Sequence, residues 1–290
     1  MTTTLEATEV TLRPGYEGAN IRTWVGFKHF MYLAEAAVLA WFRERDLGPS
    51  RLYHEYGLGL SIVDSSVLLP AVLDVDDEVR AEVVPGRPGR FTVRLKVHRE
   101  GADVTVLRGR LSAALVRDGG TGEAVPEPLR PLVVDAIAAE PEDGPAPDGG
   151  FAWSFRAPYF HCHYSERLAH SAYVRTLEEV VDRFLADRGL SVGRMLAERA
   201  WIPVVSRARV RLLADARMEE TVHTRFAVED VHLGTTYDAR MDCHVERAGQ
   251  RVPVATARIQ HGYAISRGPR AGQLAELDAA TLRALTGVDR

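Results

Sequence analysis

The densest set of reactive side chains lies in one ten-residue stretch, which holds His161, Cys162, His163 and His170. An imidazole changes charge near neutral pH, so these histidines could exchange a proton or ligate a metal. In an extended segment, alternation places His161 and His163 on one face and Cys162 on the other. Two imidazoles without a fixed third ligand do not make a zinc site, and Cys162 has no assigned base. We therefore expect no metal, no other cofactor and no cysteine nucleophile.

This stretch leads into a segment whose pattern occurs twice in the chain. His29-Phe-Met-Tyr32 recurs 141 residues later as His170-Ser-Ala-Tyr173, and Arg99-Glu-Gly101 recurs 148 residues later as Arg247-Ala-Gly249. A single match of this kind would be at chance level. The shared order and nearly constant offset of the matches indicate that one unit was duplicated.

Each copy reads as one long helix followed only by strands. Gly48 and Gly189 are placed to end the helices, and Gly101 and Gly249 are placed at hairpin turns. Residues 91–98 alternate between apolar and polar side chains, which is typical of a half-buried strand. The residues at helical spacing are Leu33, Ala36, Ala37, Ala40 and Trp41 in the first copy and Tyr173, Leu177, Val180, Val181 and Phe184 in the second. This pattern predicts an α+β unit in each copy.

A segment rich in Pro and Gly separates the copies and has the composition of a linker. Within it, residues 129–140 predict a short helix. After the second copy, Asp278 is placed to cap a short helix whose apolar contacts are Leu282 and Leu285. The predicted division is a first unit at 10–117, a linker at 118–149, a second unit at 150–265 and a tail at 266–290.

Composition excludes several classes of protein. The 290 residues are 46% hydrophobic and 26% charged, which is ordinary for a globular protein with a sizeable core. A net charge of −4 gives no electrostatic reason to expect a nucleic-acid partner. The two cysteines form no framework, the N-terminus has no signal-peptide pattern, and no apolar run reaches membrane-spanning length. We expect a soluble cytoplasmic protein with no membrane partner.

The predicted architecture resembles the hotdog fold, in which a curved antiparallel sheet wraps a central helix. The stretch Tyr173-Val-Arg-Thr-Leu-Glu-Glu179 is similar to the helix sequence Y-L-R-Y-L-E-E of the 4-hydroxybenzoyl-CoA thioesterase-like family. Val25-Gly-Phe-Lys-His-Phe-Met-Tyr32 resembles a more diverged version of the same element. Because the two repeats cover most of the chain, the resemblance implies a double hotdog, with two tandem units in one chain.

The chain departs from this family at the catalytic position. The family's acid lies ten residues before the helix tyrosine, where this sequence has His163 in the second copy and Arg22 in the first. Neither is a carboxylate, so the family's hydrolytic mechanism does not transfer unchanged. Glu166 lies in the same loop as His163 and could substitute for the acid, although its spacing does not require this.

The resemblance implies a site at the start of a helix, where free N–H groups can stabilise an oxyanion. His170 and Tyr173 could equally hold the loop in place, and Asp64 could equally belong to a turn at a strand edge. The implied catalytic residues are His163, Glu166, His170 and Glu35, and the implied substrate-binding residues are Tyr173, His29, Tyr32, Arg22 and Asp64.

Three functions fit these expectations. The first is hydrolysis of an acyl thioester of CoA or a carrier protein, with His163 or Glu166 activating water at a single site between the units. The second is a dehydratase, hydratase or isomerase acting on a similar thioester, in which His163 works with Glu35 of the other unit. The third is a non-catalytic acyl-binding protein. The sequence leaves the acyl group open, and also whether the chain is a monomer or a homodimer.

Overall fold

The computed structural model describes residues 6–118, 122–142, 144 and 150–287. Within these ranges the chain forms five α-helices, together with short 3-10 helices at Tyr16–Gly18, Glu127–Leu132 and Tyr159–His161. The α-helices are α1 (Phe27–Arg43), α2 (Pro49–Tyr56), α3 (His170–Asp187), α4 (Val192–Arg199) and α5 (Ala279–Thr286).

Thirteen described strands accompany the helices. Those of the first half are β1 (Thr8–Leu12), β2 (Ala19–Ile21), β3 (Trp24–Val25), β4 (Leu58–Leu68), β5 (Val79–Pro85), β6 (Arg90–Arg99) and β7 (Ala102–Arg117). They are followed by β8 (Val133–Val134), β9 (Phe151–Arg156), β10 (Trp201–Leu212), β11 (Thr221–His232), β12 (Thr236–Arg247) and β13 (Gln250–Ile265).

One large sheet runs through both halves of the chain. Its strand order is β1-β5-β6-β7-β4-β10-β13-β12-β11-β9, with β8 added parallel to β7 and with β2 and β3 forming a separate hairpin. The two halves meet where β4 pairs antiparallel with β10, for example Ser65 opposite Val210 and Val67 opposite Ala208. The order of strands in the first half is repeated, in reverse direction, by the strands of the second half. The fold is therefore α+β with a mostly antiparallel sheet.

The two long helices pack on this sheet and on each other. Helix α1 lies against β1, β5 and β6, while α3 lies against β10, β11 and β4. The helices cross antiparallel, because Lys28 near the start of α1 contacts Glu178 in the middle of α3. Tyr32, one turn further along α1, contacts Arg175, one turn earlier in α3.

Burial of apolar side chains between helix and sheet follows the predicted alternation. Phe91, Val93, Leu95 and Val97 of β6 are all buried, as their spacing predicts. The ring of Phe91 packs 5.0 Å from that of Trp41 in α1. In the second half, Phe184 of α3 packs 5.1 Å from Phe226 of β11. Each helix therefore contributes aromatic side chains to the core of its own half.

Several predicted ends and turns are confirmed. Gly101 and Gly249 adopt positive φ values of 80° and 74° in the β6–β7 and β12–β13 hairpins, and Gly189 follows α3 with a φ of 71°. Asp278 caps α5 by accepting a hydrogen bond of 2.9 Å from the backbone N–H of Thr281. In each case a residue that tolerates left-handed backbone, or a short acceptor side chain, fits the local geometry.

Other expectations are wrong. Each half has a second, short helix, α2 or α4, where only strands were expected. Gly48 does not end α1, which stops at Arg43; Gly48 is instead the N-cap of α2, and Asp46 takes the positive φ in the connection. The helix expected at 129–140 is replaced by the 3-10 helix Glu127–Leu132 and by β8, because Pro131 supplies no N–H for an α-helix. Among the described helices, none is long and apolar enough to cross a membrane.

Candidate functional site between the two long helices

Polar side chains collect where α1 and α3 cross. The Lys28 Nζ atom lies 2.8 Å from Glu178 Oε2, and the Arg175 guanidinium lies 5.7 Å from the centre of the Tyr32 ring. These contacts join residues from the two halves of the chain. We call this region the helix groove and define it by His29, Tyr32 and Glu35 of α1, Arg175 and Glu178 of α3, and His161 and His163 of the loop before α3.

Arg175 is the cation whose charge affects most of the other residues of the helix groove. Its Nε atom is buried without a hydrogen-bond partner, and within the described ranges it forms no ion pair. Its positive charge acts on the pKa values of His29, Tyr32, Glu35, His161 and His163. A guanidinium with unused donors is suited to hold an anion or to stabilise negative charge that develops during a reaction.

The helix groove holds two carboxylates, of which Glu178 pairs with Lys28 and Glu35 is the other. Desolvation raises its pKa to about 7, and the nearby charge of Arg175 opposes that rise. A carboxyl group with a pKa near the ambient pH can both accept and donate a proton, which is the property that general acid–base catalysis needs. Glu35 therefore combines a suitable pKa with a position facing the second half of the chain.

The second-half loop supplies two imidazoles. Desolvation first, and then the charge of Arg175, lowers the pKa of His163, although part of its side chain is exposed. The pKa of His161 is lowered by the same two causes, and its Nδ1 atom is buried without a partner. Both rings are therefore favoured in the neutral form, in which a histidine can accept a proton.

Arg167 fixes this loop to the first half of the chain. Its guanidinium donates hydrogen bonds of 2.9 Å to Asp118 and 3.0 Å to the carbonyl of Arg117, both at the end of β7. It also lies 3.4 Å from Asp215, and its own carbonyl accepts from the backbone N–H of His163. Because Arg167 contacts both the end of β7 and the backbone of His163, it positions the loop that carries His163.

The first-half loop contacts His29 of the helix groove. His29 is buried, and its Nε2 atom lies 3.6 Å from a carboxylate oxygen of Glu17. Its ring packs so closely on Gly18 that a Cβ atom there would be 2.9 Å from His29 Cγ. Burial first, and then the charge of Lys28, lowers the pKa of His29. The ring also meets Tyr32 edge to face at 5.2 Å. His29 is thus held rigidly and in its neutral form.

Two of the expected residues lie in the core and not in the groove. His170 is buried, and its Nε2 atom is 2.8 Å from the hydroxyl of Ser65 in β4. Tyr173 is only 1% exposed, and its hydroxyl has no partner among the described residues. Its pKa is raised by desolvation and then by Cys243 of β12, so its side chain faces the sheet. Tyr173, which was expected to bind substrate, therefore faces the core and not the helix groove, because helical periodicity turns it inward.

Asp64 lies on the opposite side of the sheet. Its neighbour Ser65 faces α3, so alternation along β4 turns Asp64 away from the helices. There its carboxylate accepts hydrogen bonds of 3.1 and 2.9 Å from Arg209. Asp64, which was expected to bind substrate, therefore does not face the helix groove.

Glu166 and Arg22 also have partners elsewhere. The side chain of Glu166 is 71% exposed and lies 4.0 Å from Arg217. Arg22 donates a hydrogen bond to the carbonyl of Ser266, just after β13, and its guanidinium lies 5.8 Å from the Trp24 ring. Within the described part of the chain, neither residue contacts the helix groove.

Arg175 and the Lys28–Glu178 pair were missed from the sequence. Arg175 stands inside the stretch Tyr173–Glu179, between residues that are buried. A lone cation within a largely buried helical run is the signal that could have found it, since such a charge needs an anionic partner or ligand.

The second half of the chain matches a known protein family. Residues 157–285 match the family model of the thioesterase-like superfamily, and this range includes the loop with His163 and all of α3. A comparison with curated proteins found no match. The 12:0-ACP thioesterase from Umbellularia californica has a solved structure that aligns with a TM-score of 0.64 at 11% identity, covering 89% of this chain and 94% of that chain.

The chain has the hotdog fold of these thioesterases. A structure from Lactobacillus plantarum, provisionally described as an oleoyl thioesterase, aligns with a TM-score of 0.62 at 12% identity, covering 89% of this chain and 96% of that one. An acyl-ACP thioesterase from Bacteroides thetaiotaomicron aligns with a TM-score of 0.54 at 9% identity, covering 88% and 97%. The resemblance to hotdog thioesterases that the sequence predicts is therefore confirmed. Each of these alignments covers both halves of this chain.

Proposed function

We propose that this protein hydrolyses an acyl thioester in the helix groove. One observation carries the proposal: Glu35 of the first half, with a pKa of about 7, lies within the field of Arg175 of the second half. The fold shared with thioesterase structures supports the same reaction class. The two halves, 10–117 and 150–265, act as the two units of a double hotdog, joined by the linker 118–149 and followed by the tail 266–290.

Glu35 replaces the carboxylate that the family has at the position of His163. In its ionised form Glu35 takes a proton from water, and the resulting hydroxide attacks the thioester carbonyl carbon. The negative charge that forms on the carbonyl oxygen is stabilised by Arg175 and by the N–H groups at the start of α3, whose N-cap residue Ala169 provides no side-chain acceptor. When the carbon–sulfur bond breaks, the proton held by Glu35 passes to the leaving thiolate, giving the free acid and the thiol.

The working site is single because the two loops differ. In the second half the loop brings His161 and His163 to the groove with lowered pKa values. In the first half the equivalent residue, Arg22, is engaged by the carbonyl of Ser266. We infer that His163 assists catalysis by accepting or returning a proton, and that the protein works in the cytoplasm on CoA or carrier-protein thioesters.

A dehydratase, hydratase or isomerase is the second candidate. It is favoured by one specific arrangement: Glu35 and His163 belong to different halves, and both are in the field of Arg175. A carboxyl group and a neutral imidazole could divide the transfer of an α-proton and the departure of a β-hydroxyl group. The same two residues would then serve a reaction that leaves the thioester bond intact.

Mass spectrometry of the products distinguishes these functions. The protein is incubated with a panel of acyl- and 3-hydroxyacyl-thioesters, alongside Glu35→Gln, His163→Ala and the control Glu198→Gln, which changes an exposed carboxylate of α4. We expect free acid and thiol, reduced at least about 100-fold by Glu35→Gln and unchanged in the control. A thioester that only gains or loses water would indicate the second candidate. Full activity of Glu35→Gln would overturn the assigned base.

A further inference from the structure

A cleft of about 390 Å³ opens beyond the C-terminal end of α1, outside the helix groove. This volume is within the range of small-molecule sites, which are about 300–1,000 Å³. Its walls come from both halves of the chain: the end of α1, the first turns of α2, and the loop before α3. The side chains that give it chemical character are Arg43, Ser50, Tyr53, His54 and Tyr164.

The cleft is suited to an anion. Arg43 is exposed at its edge and forms no ion pair with any described residue, and no carboxylate lines the cleft. Helix α2 begins in the cleft wall, where its N-cap residue Gly48 offers no side-chain acceptor and its first turn holds no acidic residue. Pro49, the first residue of α2, has no N–H, so the backbone donors are those of the next residues of the first turn. Together with a free guanidinium and the Ser50 hydroxyl, they provide donors for a phosphate.

The cleft also presents flat aromatic surface. The rings of Tyr53 and Tyr164 stack at 5.8 Å with an interplanar angle of 29°, and the His54 ring meets Tyr53 edge to face at 5.3 Å. Tyr164 holds a φ of 60°, in the left-handed region that non-glycine residues adopt only at a cost in free energy. Strained backbone that keeps a tyrosine ring against the other half of the chain points to a binding role for that ring.

The cleft and the helix groove are neighbours. Tyr164 lines the cleft and directly follows His163 of the groove, and the charge of Glu35 acts on the pKa of Tyr164. Arg43 follows Glu35 by eight residues on α1, which corresponds to about 12 Å at 1.5 Å per residue. A pantetheine arm is long enough to join a thioester in the groove to a phosphate in the cleft.

We propose that this cleft binds the adenine nucleotide end of coenzyme A, so that the protein takes its acyl group from CoA and not from a carrier protein. The adenine ring stacks on the outer face of the Tyr53–Tyr164 pair, in which Tyr164 is 42% exposed, and the phosphates bind Arg43 and the start of α2. A carrier protein holds its pantetheine arm through a serine phosphodiester and has no adenine, so it leaves these aromatic contacts unused. This inference rests on the proposed thioester hydrolysis.

Direct binding tests the cleft without any need for turnover. Adenosine 3′,5′-bisphosphate, which lacks the arm and the thioester, is titrated calorimetrically into the full chain, Arg43→Ala and Tyr53→Ala. The matched control is Arg207→Ala, which removes an exposed arginine of β10 that has no ion pair within the described ranges. We expect at least about tenfold weaker binding to Arg43→Ala, weaker binding to Tyr53→Ala, and unchanged binding to the control, with equal melting temperatures for Arg43→Ala and the control.

Failure of this inference and failure of the proposed function have different signatures. Equal kcat/KM for acyl-CoA and the matching acyl-pantetheine, without nucleotide binding, would overturn the cleft assignment and leave hydrolysis intact. Nucleotide binding without hydrolysis of any thioester would support the cleft and overturn the proposed function. Inorganic phosphate that binds as tightly as the nucleotide would overturn the role given to the tyrosines.

Discussion

The hydroxyl of Ser65 lies 2.8 Å from Nε2 of His170, which joins β4 in the first half to the first residue of α3 in the second. Ser65 is fully buried and His170 is 5% exposed. Desolvation lowers the pKa of His170 to about 4, so the imidazole is neutral at physiological pH. This bond between neutral groups fixes the start of the helix that carries Arg175. The geometry of the helix groove therefore depends on a contact in the core beneath it.

Ser65→Ala should destabilise the protein by about 1–3 kcal/mol, because it removes the side-chain hydrogen bond of a buried imidazole. The measurement is urea unfolding followed by circular dichroism. Ser66→Ala is the matched control, since Ser66 is the next residue of β4 and its side chain is exposed on the other face. Equal stability of the two variants would show that the bond contributes nothing.

Stability should fall between about pH 7 and pH 4 through two buried histidines, His170 and His261. Desolvation lowers the pKa of each to about 4, while an unfolded histidine titrates near 6.5. In this window the unfolded state binds more protons, so the free energy of unfolding decreases as pH decreases, by up to roughly 3 kcal/mol per histidine.

His261→Phe tests this dependence, because it keeps an aromatic ring beside Tyr237 and removes the titrating group. We expect the variant to lose less stability than the native protein between pH 7 and pH 4.5, as measured by unfolding at each pH. The exposed His98 provides the control His98→Gln. Parallel curves for the native protein and His261→Phe would contradict the prediction.

Local sequence patterns predicted the regular elements well because those elements depend on near neighbours. The alternation over 91–98, the glycines of the hairpins and the Asp278 cap each act within a few residues. Helix α2 was missed because it has only eight residues and directly follows α1. The amphipathic pattern of so short a helix is weak, and Gly48 was assigned to the wrong helix end.

The candidate site was predicted only in part because its contacts join the two halves. Glu35 and His163 were identified from the resemblance, and the structure brings both into the field of Arg175. Arg175 itself contacts Tyr32 and acts on the pKa of Glu35, and both residues are more than a hundred positions away in the chain. The inward direction of Tyr173 depends on which side of α3 packs on the sheet. No local pattern specifies these relationships.

Arg167→Ala should loosen the loop that carries His163. The substitution removes the hydrogen bonds to Asp118 and to the carbonyl of Arg117, and it leaves the carboxylates of Asp118 and Asp215 without their shared cation. Hydrogen–deuterium exchange should increase in peptides that cover 160–169 and change little in β11 and β12. Arg13→Ala is the control, because Arg13 is an exposed arginine whose ion pair with Glu78, at 3.0 Å, lies outside this loop. Unchanged exchange in Arg167→Ala would show that other contacts hold the loop.

The pH dependence of hydrolysis should report the ionisation of Glu35. If the ionised carboxylate activates water, kcat/KM increases with pH through an apparent pKa of about 7. Arg175 lowers the pKa of Glu35, so Arg175→Ala should move this limb to higher pH as well as reduce the rate. Arg175→Lys keeps the positive charge and should leave the limb near its original position while losing the planar group that faces Tyr32. A limb at the same pH in all three proteins would mean that another group, with His163 the first to examine, controls the reaction. The comparison separates the charge of Arg175 from its shape, because only the first affects the pKa of Glu35.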